Sequence, residues 1–274
     1  PGGHRFRNKL FVLRWPSVGL RWPTFESVRP RATPGRRRGG KQREDETLPS
    51  SAPFLRSQMC ACGGPPPHKL LMAAVKAGDG PKITSLLGKP VDIGFADDKG
   101  KTALHYGARS APKDIFALLV GKATLDDVKR ADRNGRTPLM TACNFGHADN
   151  VRTVLARVGS SAIEEHDNHF CNALHFSAAK GHSDVVALLL TEIGAGGGLP
   201  ELLEACDGGQ NTALHKAGIV GSPETIRLLL EAGANPGMKN CDDMTSRDCC
   251  ASVGDGQTEA CLAVFDAFQN AAGT

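Results

Sequence analysis

The strongest constraint on this chain is a short core that returns at a fixed interval. Thr102-Ala103-Leu104-His105 comes back as Thr137-Pro138-Leu139-Met140, Asn172-Ala173-Leu174-His175 and Thr212-Ala213-Leu214-His215. The aligned leucines stand at 71, 104, 139, 174 and 214, and a degraded sixth copy puts Arg247 there. The spacings are 33, 35, 35, 40 and 33 residues. The same accessories surround each core. Asp97, Asp132, Asp167 and Asp207 stand five residues before it, and Gly107, Ala142, Ser177 and Ala217 three after its Leu. Ala111, Gly146, Gly181 and Gly221 stand seven after, followed by apolar runs at 115–120, 151–155, 185–190 and 226–230. Self-similarity at this period is the mark of a stacked-repeat architecture.

Local chemistry says what one unit is. Asp97-Asp98-Lys99-Gly100 and Asp132-Arg133-Asn134-Gly135 carry a turn signal, an aspartate that bonds its own backbone and a glycine that supplies positive φ. Thr then caps a short helix, with Pro138 in its first turn, where no N–H is missed. Small residues on that helix admit a close partner, and Gly at its end permits a left-handed stop. The second helix carries the Ile/Val-x-x-Leu-Leu stripe. Helices of about eight to ten residues do not stand alone in water. Their apolar faces are covered only when neighbouring units stack.

Five in-register copies resemble the ankyrin repeat family, over residues 67–268. The resemblance implies an all-α ankyrin-repeat solenoid of about six helix-turn-helix units with β-hairpin-like tips. The expected division is a disordered basic Pro/Arg/Gly-rich segment at 1–66 and a repeat domain at 67–270. The ends read as caps. The first copy, at 69–74, lacks a preceding hairpin, and the last puts Arg247, Asp248 and Glu259 where Leu, His and Ile or Val stand elsewhere. The long interval holds Gly194–Gly198, read as a flexible loop leading into one extra helical turn at 199–204. In this family the recurring His bonds the backbone of adjacent hairpins. Met140 departs from it, so one junction is expected to be weaker.

The net charge of +4 conceals a split. Residues 1–56 hold 13 Lys/Arg against 4 Asp/Glu, or +9; residues 57–274 hold 20 against 25, or −5. The basic segment includes Arg36-Arg37-Arg38 and the pairs Arg14-Trp15 and Arg21-Trp22, and its composition does not repay ordering. The chain begins with Pro1 and its first methionine is Met59. Three readings stand for 1–58: sequence upstream of a start at Met59, a truncated organelle leader, or a genuine basic tail. No apolar run is long enough for a membrane span. The nine cysteines lie mostly inside apolar patterns and read as reduced thiols. The expected location is cytoplasmic, with nuclear, or organellar through a leader, as alternatives. The expected state is a monomer.

Catalytic candidates dissolve into repeat roles. His105, His175 and His215 recur as repeat positions. The 164–169 run of Glu, His and Asp contains the turn aspartate of its copy. Cys60, Cys62 and His68 lack a fourth zinc ligand at finger spacing. Gly194–Gly198 follows a helix and precedes no Gly-Lys-Ser/Thr, so it is no phosphate cradle. No enzyme activity, cofactor or metal is expected.

The expectation that remains is a surface. Ankyrin arrays bind with the hairpin tips and the exposed side of the first helix, which together form a concave groove. Mapped onto this sequence, that gives Tyr106 and Phe176 two after the Leu and Lys216 in the same register. It gives Arg109 and Asn144 five after, and Phe145 and Lys180 six after. The tips add Lys99, Lys101, Arg133 and Arg136. Tyr106, Phe145 and Phe176 are expected to form an aromatic strip across three repeats; aromatics and Arg are common interface anchors. The expected partner is a protein or peptide, and the basic tips fit an acidic or mixed-charge one. Two alternatives stay open: the array as part of a longer regulatory enzyme, and nucleic-acid or anionic-surface binding through the basic tail.

Overall fold

The computed structural model describes residues 64–194, 198–254 and 256–272. The described helices pair into six helix-turn-helix units. These are α1 (Pro67–Ala77) with α2 (Gly80–Leu87), α3 (Ala103–Ser110) with α4 (Lys113–Lys122), and α6 (Pro138–Asn144) with α7 (Ala148–Val158). They continue with α8 (Ala173–Ala178) and α9 (Ser183–Gly194), α11 (Ala213–Val220) and α12 (Pro223–Glu231), and α13 (Ser246–Val253) and α14 (Thr258–Ala272). First helices pack on first helices, α1 on α3, α3 on α6, α6 on α8, α8 on α11 and α11 on α13. Among the described residues there is no strand, only two isolated bridges at the tips, His166–Asn172 and Lys239–Thr245. This is the all-α solenoid of paired helices that the family resemblance implied.

The recurring leucines form its axis: Leu71, Leu104, Leu139, Leu174 and Leu214 are all fully buried. Gly107 is small for a packing reason, since a Cβ there would meet Phe116 and Leu119 of α4 at 3.1 Å. In the last unit Arg247 replaces the leucine, turns outward and pairs with Asp266 on α14 at 2.9 Å, as a solvent-facing cap allows.

The hairpin aspartates work as turn clamps. Each carboxylate accepts two backbone N–H groups of its own tip, Asp132 from Asn134 and Arg136, and Asp207 from Gly209 and Asn211. In the last hairpin Asn240 does this, accepting from Asp242 and Met244. Successive tips are laced by one backbone bond each. Arg133 N–H donates to Lys99 O, Asn168 N–H to Asn134 O, Gly208 N–H to His169 O and Cys241 N–H to Gly209 O, at 2.9–3.1 Å. Gly135 sits at φ +79°, and a Cβ there would stand 2.8 Å from Asn168 N. The equivalent residue one repeat on is Phe170, at φ +61° and 58% exposed.

Two elements were not legible in the sequence. A five-residue helix, α5 (Leu125–Lys129), and a 3-10 turn (Ser160–Ile163) follow the second helices of two units. They are counterparts of α10 (Leu199–Glu204), the extra turn expected at 199–204. Of the expected flexible loop, residues 195–197 lie outside the described residues, as do the basic segment, Cys60 and Cys62.

Candidate protein-interaction site

The repeating histidines are joints. His105 Nδ1 accepts the Thr102 N–H at 3.1 Å, while Nε2 faces Arg136 O at 2.9 Å. A carbonyl only accepts and an amide N–H only donates, so the ring is neutral with its proton on Nε2. His175 bridges Asn172 N–H to Asn211 O, and His215 bridges Thr212 N–H to Met244 O, in the same way. Burial lowers the pKa of all three, with partial opposition from the bonded carbonyls. At the fourth junction Met140 has no ring nitrogen and fills the space with a buried apolar side chain. Its place is taken by the Asn168 side-chain amide on Arg133 O at 3.0 Å and by Arg136 Nε on Asp167 at 3.3 Å. A second row of rings escaped the sequence reading: His147 and His182 reach back to Arg109 O and Asn144 O, at 2.7 and 3.3 Å. The Gly-His pairs at 146–147 and 181–182, in equal register, were the available signal.

With the histidines spent on scaffold, the first-helix face remains. Seven of the eleven expected binding residues line one pocket of about 120 Å³: Lys101, Tyr106, Arg109, Arg136, Asn144, Phe145 and Phe176. His105, Met140 and Thr141 complete its wall. Lys99 and Arg133 are exposed at the tips, and Lys180 is exposed just beyond α8. Lys216 is half-buried and pairs with Asp207. These four do not line the pocket.

The expected open aromatic strip is not what forms. Phe176 is buried beneath Arg136, whose guanidinium lies 4.8 Å from the ring centre. Phe145 is exposed but carries Arg109 at 5.1 Å, and Tyr106 carries Lys76 at 4.2 Å. The result is a face of cations seated on aromatic rings, an arrangement the ring quadrupole favours. Lys76 was missed, although it stands five after Leu71, the register position of Arg109. The Tyr106 hydroxyl donates to Asp97 at 2.6 Å; burial and that bond push its pKa up to about 12. Burial would raise the Asp97 pKa, but the Tyr106 hydroxyl, the backbone N–H groups of Lys101 and Lys99 and the Lys76 charge together hold it below the usual value.

The cations differ in how far they are neutralised. Lys101 stands 4.0 Å from Asp132, and Arg136 is bonded to Asp167. Both carboxylates are buried and already hold two backbone N–H groups. Arg109 is exposed and, among the described residues, has no carboxylate within ion-pair distance. Among the described residues no group of three or more His, Cys, Asp or Glu is arranged to hold a metal, and none of the seven cysteines there forms a disulfide. No described helix is long and apolar enough to cross a membrane.

A family model described as ankyrin repeats (three copies) matches residues 71–163 and 158–240. The chain is 28% identical over 207 residues to the probable E3 ubiquitin-protein ligase XBOS32 of Oryza sativa subsp. japonica, covering 65% of this chain and 40% of that protein. It is 29% identical over 92 residues to the tyrosine-protein kinase HTK16 of Hydra vulgaris, covering 34% of this chain and 12% of the kinase. The chain thus spans at most about two fifths of the length of these relatives. Among solved structures, the ankyrin repeat protein EF0377 superposes with a TM-score of 0.61 at 21% identity, covering 73% of this chain and 97% of its own. An ankyrin repeat domain from Acinetobacter baumannii gives 0.58 at 23%, with the same coverage. At these identities the likeness is one of fold.

Proposed function

The chain belongs to the ankyrin-repeat family, and on that premise we propose that it is a non-enzymatic module holding a partner protein or peptide across its first helices and hairpin tips. The observation that carries this is the convergence of seven expected residues on one pocket, while every recurring His and Asp is already occupied by backbone. Residues with scaffold partners are not free for chemistry; Arg109, Asn144 and Phe145 are free to meet a partner.

The test is affinity capture with the intact chain and with Arg109→Glu/Phe145→Ala. Both side chains are at the surface, so the fold is kept; Phe176→Ala would instead open a hole under Arg136. Loss of the captured proteins at unchanged melting temperature is the expected result. Undiminished capture contradicts the assignment.

A second reading rests on the coverage: the chain spans 40% of a ubiquitin ligase and 12% of a kinase. On this reading the array is the partner-recruiting part of a longer enzyme. The intact mass of the native protein decides it: a mass well above 28.9 kDa supports the longer enzyme, and a mass at or below it does not.

A further inference from the structure

The first-helix face changes character along the array. Over α3, α6 and α8 it is cationic. Lys101, Arg109 and Arg136 line the pocket, and Lys180 stands exposed at the far side. In the next two units the same register positions are aliphatic. Ile219 and Val220 on α11 are 44% and 40% exposed, and Val253 at the matching position of α13 is 40% exposed. The helices α11 and α13 pack directly on each other, and Val220 reaches back to within 3.5 Å of the Cβ position of Gly181 at the end of α8. The cationic and aliphatic stretches therefore adjoin on one face.

Resting on the groove reading above, we infer that this face selects a partner segment that is acidic over α3–α8 and aliphatic over α11–α13. Arg109 is the anchor of the acidic half, because it is the pocket cation without an ion-pair partner among the described residues. Its guanidinium presents a planar donor fork suited to a carboxylate, and the Phe145 ring beneath it restricts its freedom before binding. Lys101 and Arg136 add positive potential but are held by buried aspartates, so they steer and do not clasp. The aliphatic half adds area removed from water at a point where charge would be desolvated without a partner.

A nucleic acid fits this face less well. Single-strand binders offer open aromatic faces to the bases. Here each ring has a cation seated on it at 4.2–5.1 Å, and residues 57–274 carry a net −5.

The test is selection of a random phage-displayed peptide library on the full chain, followed by fluorescence polarisation of the winning peptides. Enrichment of peptides with Asp or Glu on one side of an aliphatic cluster is expected. Arg109→Glu should weaken them at least about tenfold, and Ile219→Asp should weaken them severalfold while leaving the preference for acid. Raising salt from about 0.05 to 0.5 M should also weaken them. Enriched neutral or basic peptides that still depend on Phe145 would overturn the inference and leave the groove reading standing. Enriched peptides indifferent to Arg109→Glu, Phe145→Ala and Ile219→Asp alike, or no enrichment at all, contradict the groove reading itself. Labelled single-stranded RNA that displaces the peptides overturns the inference in favour of a nucleic acid.

Discussion

The interior of the array and its first-helix face obey opposite rules. Inside, the same residue types do the same work in most units. The leucines at 104, 139, 174 and 214 are no more than 1% exposed, each hairpin Asp holds two backbone N–H groups, and three of the four junctions between successive hairpins share one His bridge. On the face, the position five after the leucine runs Arg109, Asn144, Ala179, Ile219. Stacking forces recurrence, because each unit must fit the one before it. No stacking contact forces it at solvent-facing positions, so the side chains there are free to differ from unit to unit.

Five substitutions or conditions set the two regions against each other. Leu174→Ala, in the middle of the stack, should lower unfolding free energy by about 2–5 kcal/mol, read by chemical denaturation. Arg109→Gln on the face should change it by less than about 0.5 kcal/mol. Gly135→Ala places a Cβ in left-handed backbone against the next hairpin; a loss of about 1–3 kcal/mol is expected, with fraying of the tips seen by hydrogen exchange.

The fourth is pH. The folded-state pKa values of His105, His175 and His215 lie below the ordinary 6.5, so the unfolded chain binds more protons as pH falls through 6.5. Stability should therefore be full above about pH 6.5 and decline below it. The Met140 junction contributes nothing to this slope. Replacing the three histidines by Gln should flatten the urea midpoint between pH 7.5 and 5.5; an unchanged slope would show that the joints are not neutral rings. The last effect has the opposite sign. Phe170→Gly removes a bulky residue from left-handed backbone and should stabilise by about 1 kcal/mol, visible as a higher melting temperature.

The fold was legible because five copies vote on each position. Turn Asp, cap Thr or Asn and buried Leu each recur at one offset and each have one physical task. What was missed lacks that redundancy. The helix α5 and the turn at 160–163 share no sequence with one another; two extra residues in each 35-residue spacing were their only trace. His147 and His182 occur in two copies, while Pro112 and Ser222 fill the same register elsewhere. The burial of Phe176 depends on Arg136, a residue 40 positions earlier and from another unit, so no single repeat announces it. Seven of the eleven residues expected at the face converge on one pocket because register places them together. The cations seated on the rings depend on side-chain reach between units, which register does not encode.

The most direct test of the central claim is hydrogen exchange of the array with and without its captured partner. New protection should concentrate in α3, α6, α8 and the tips at 97–101 and 132–136, leaving α4, α7 and α9 unchanged. Protection confined to the second helices, or to residues 1–56, would contradict it.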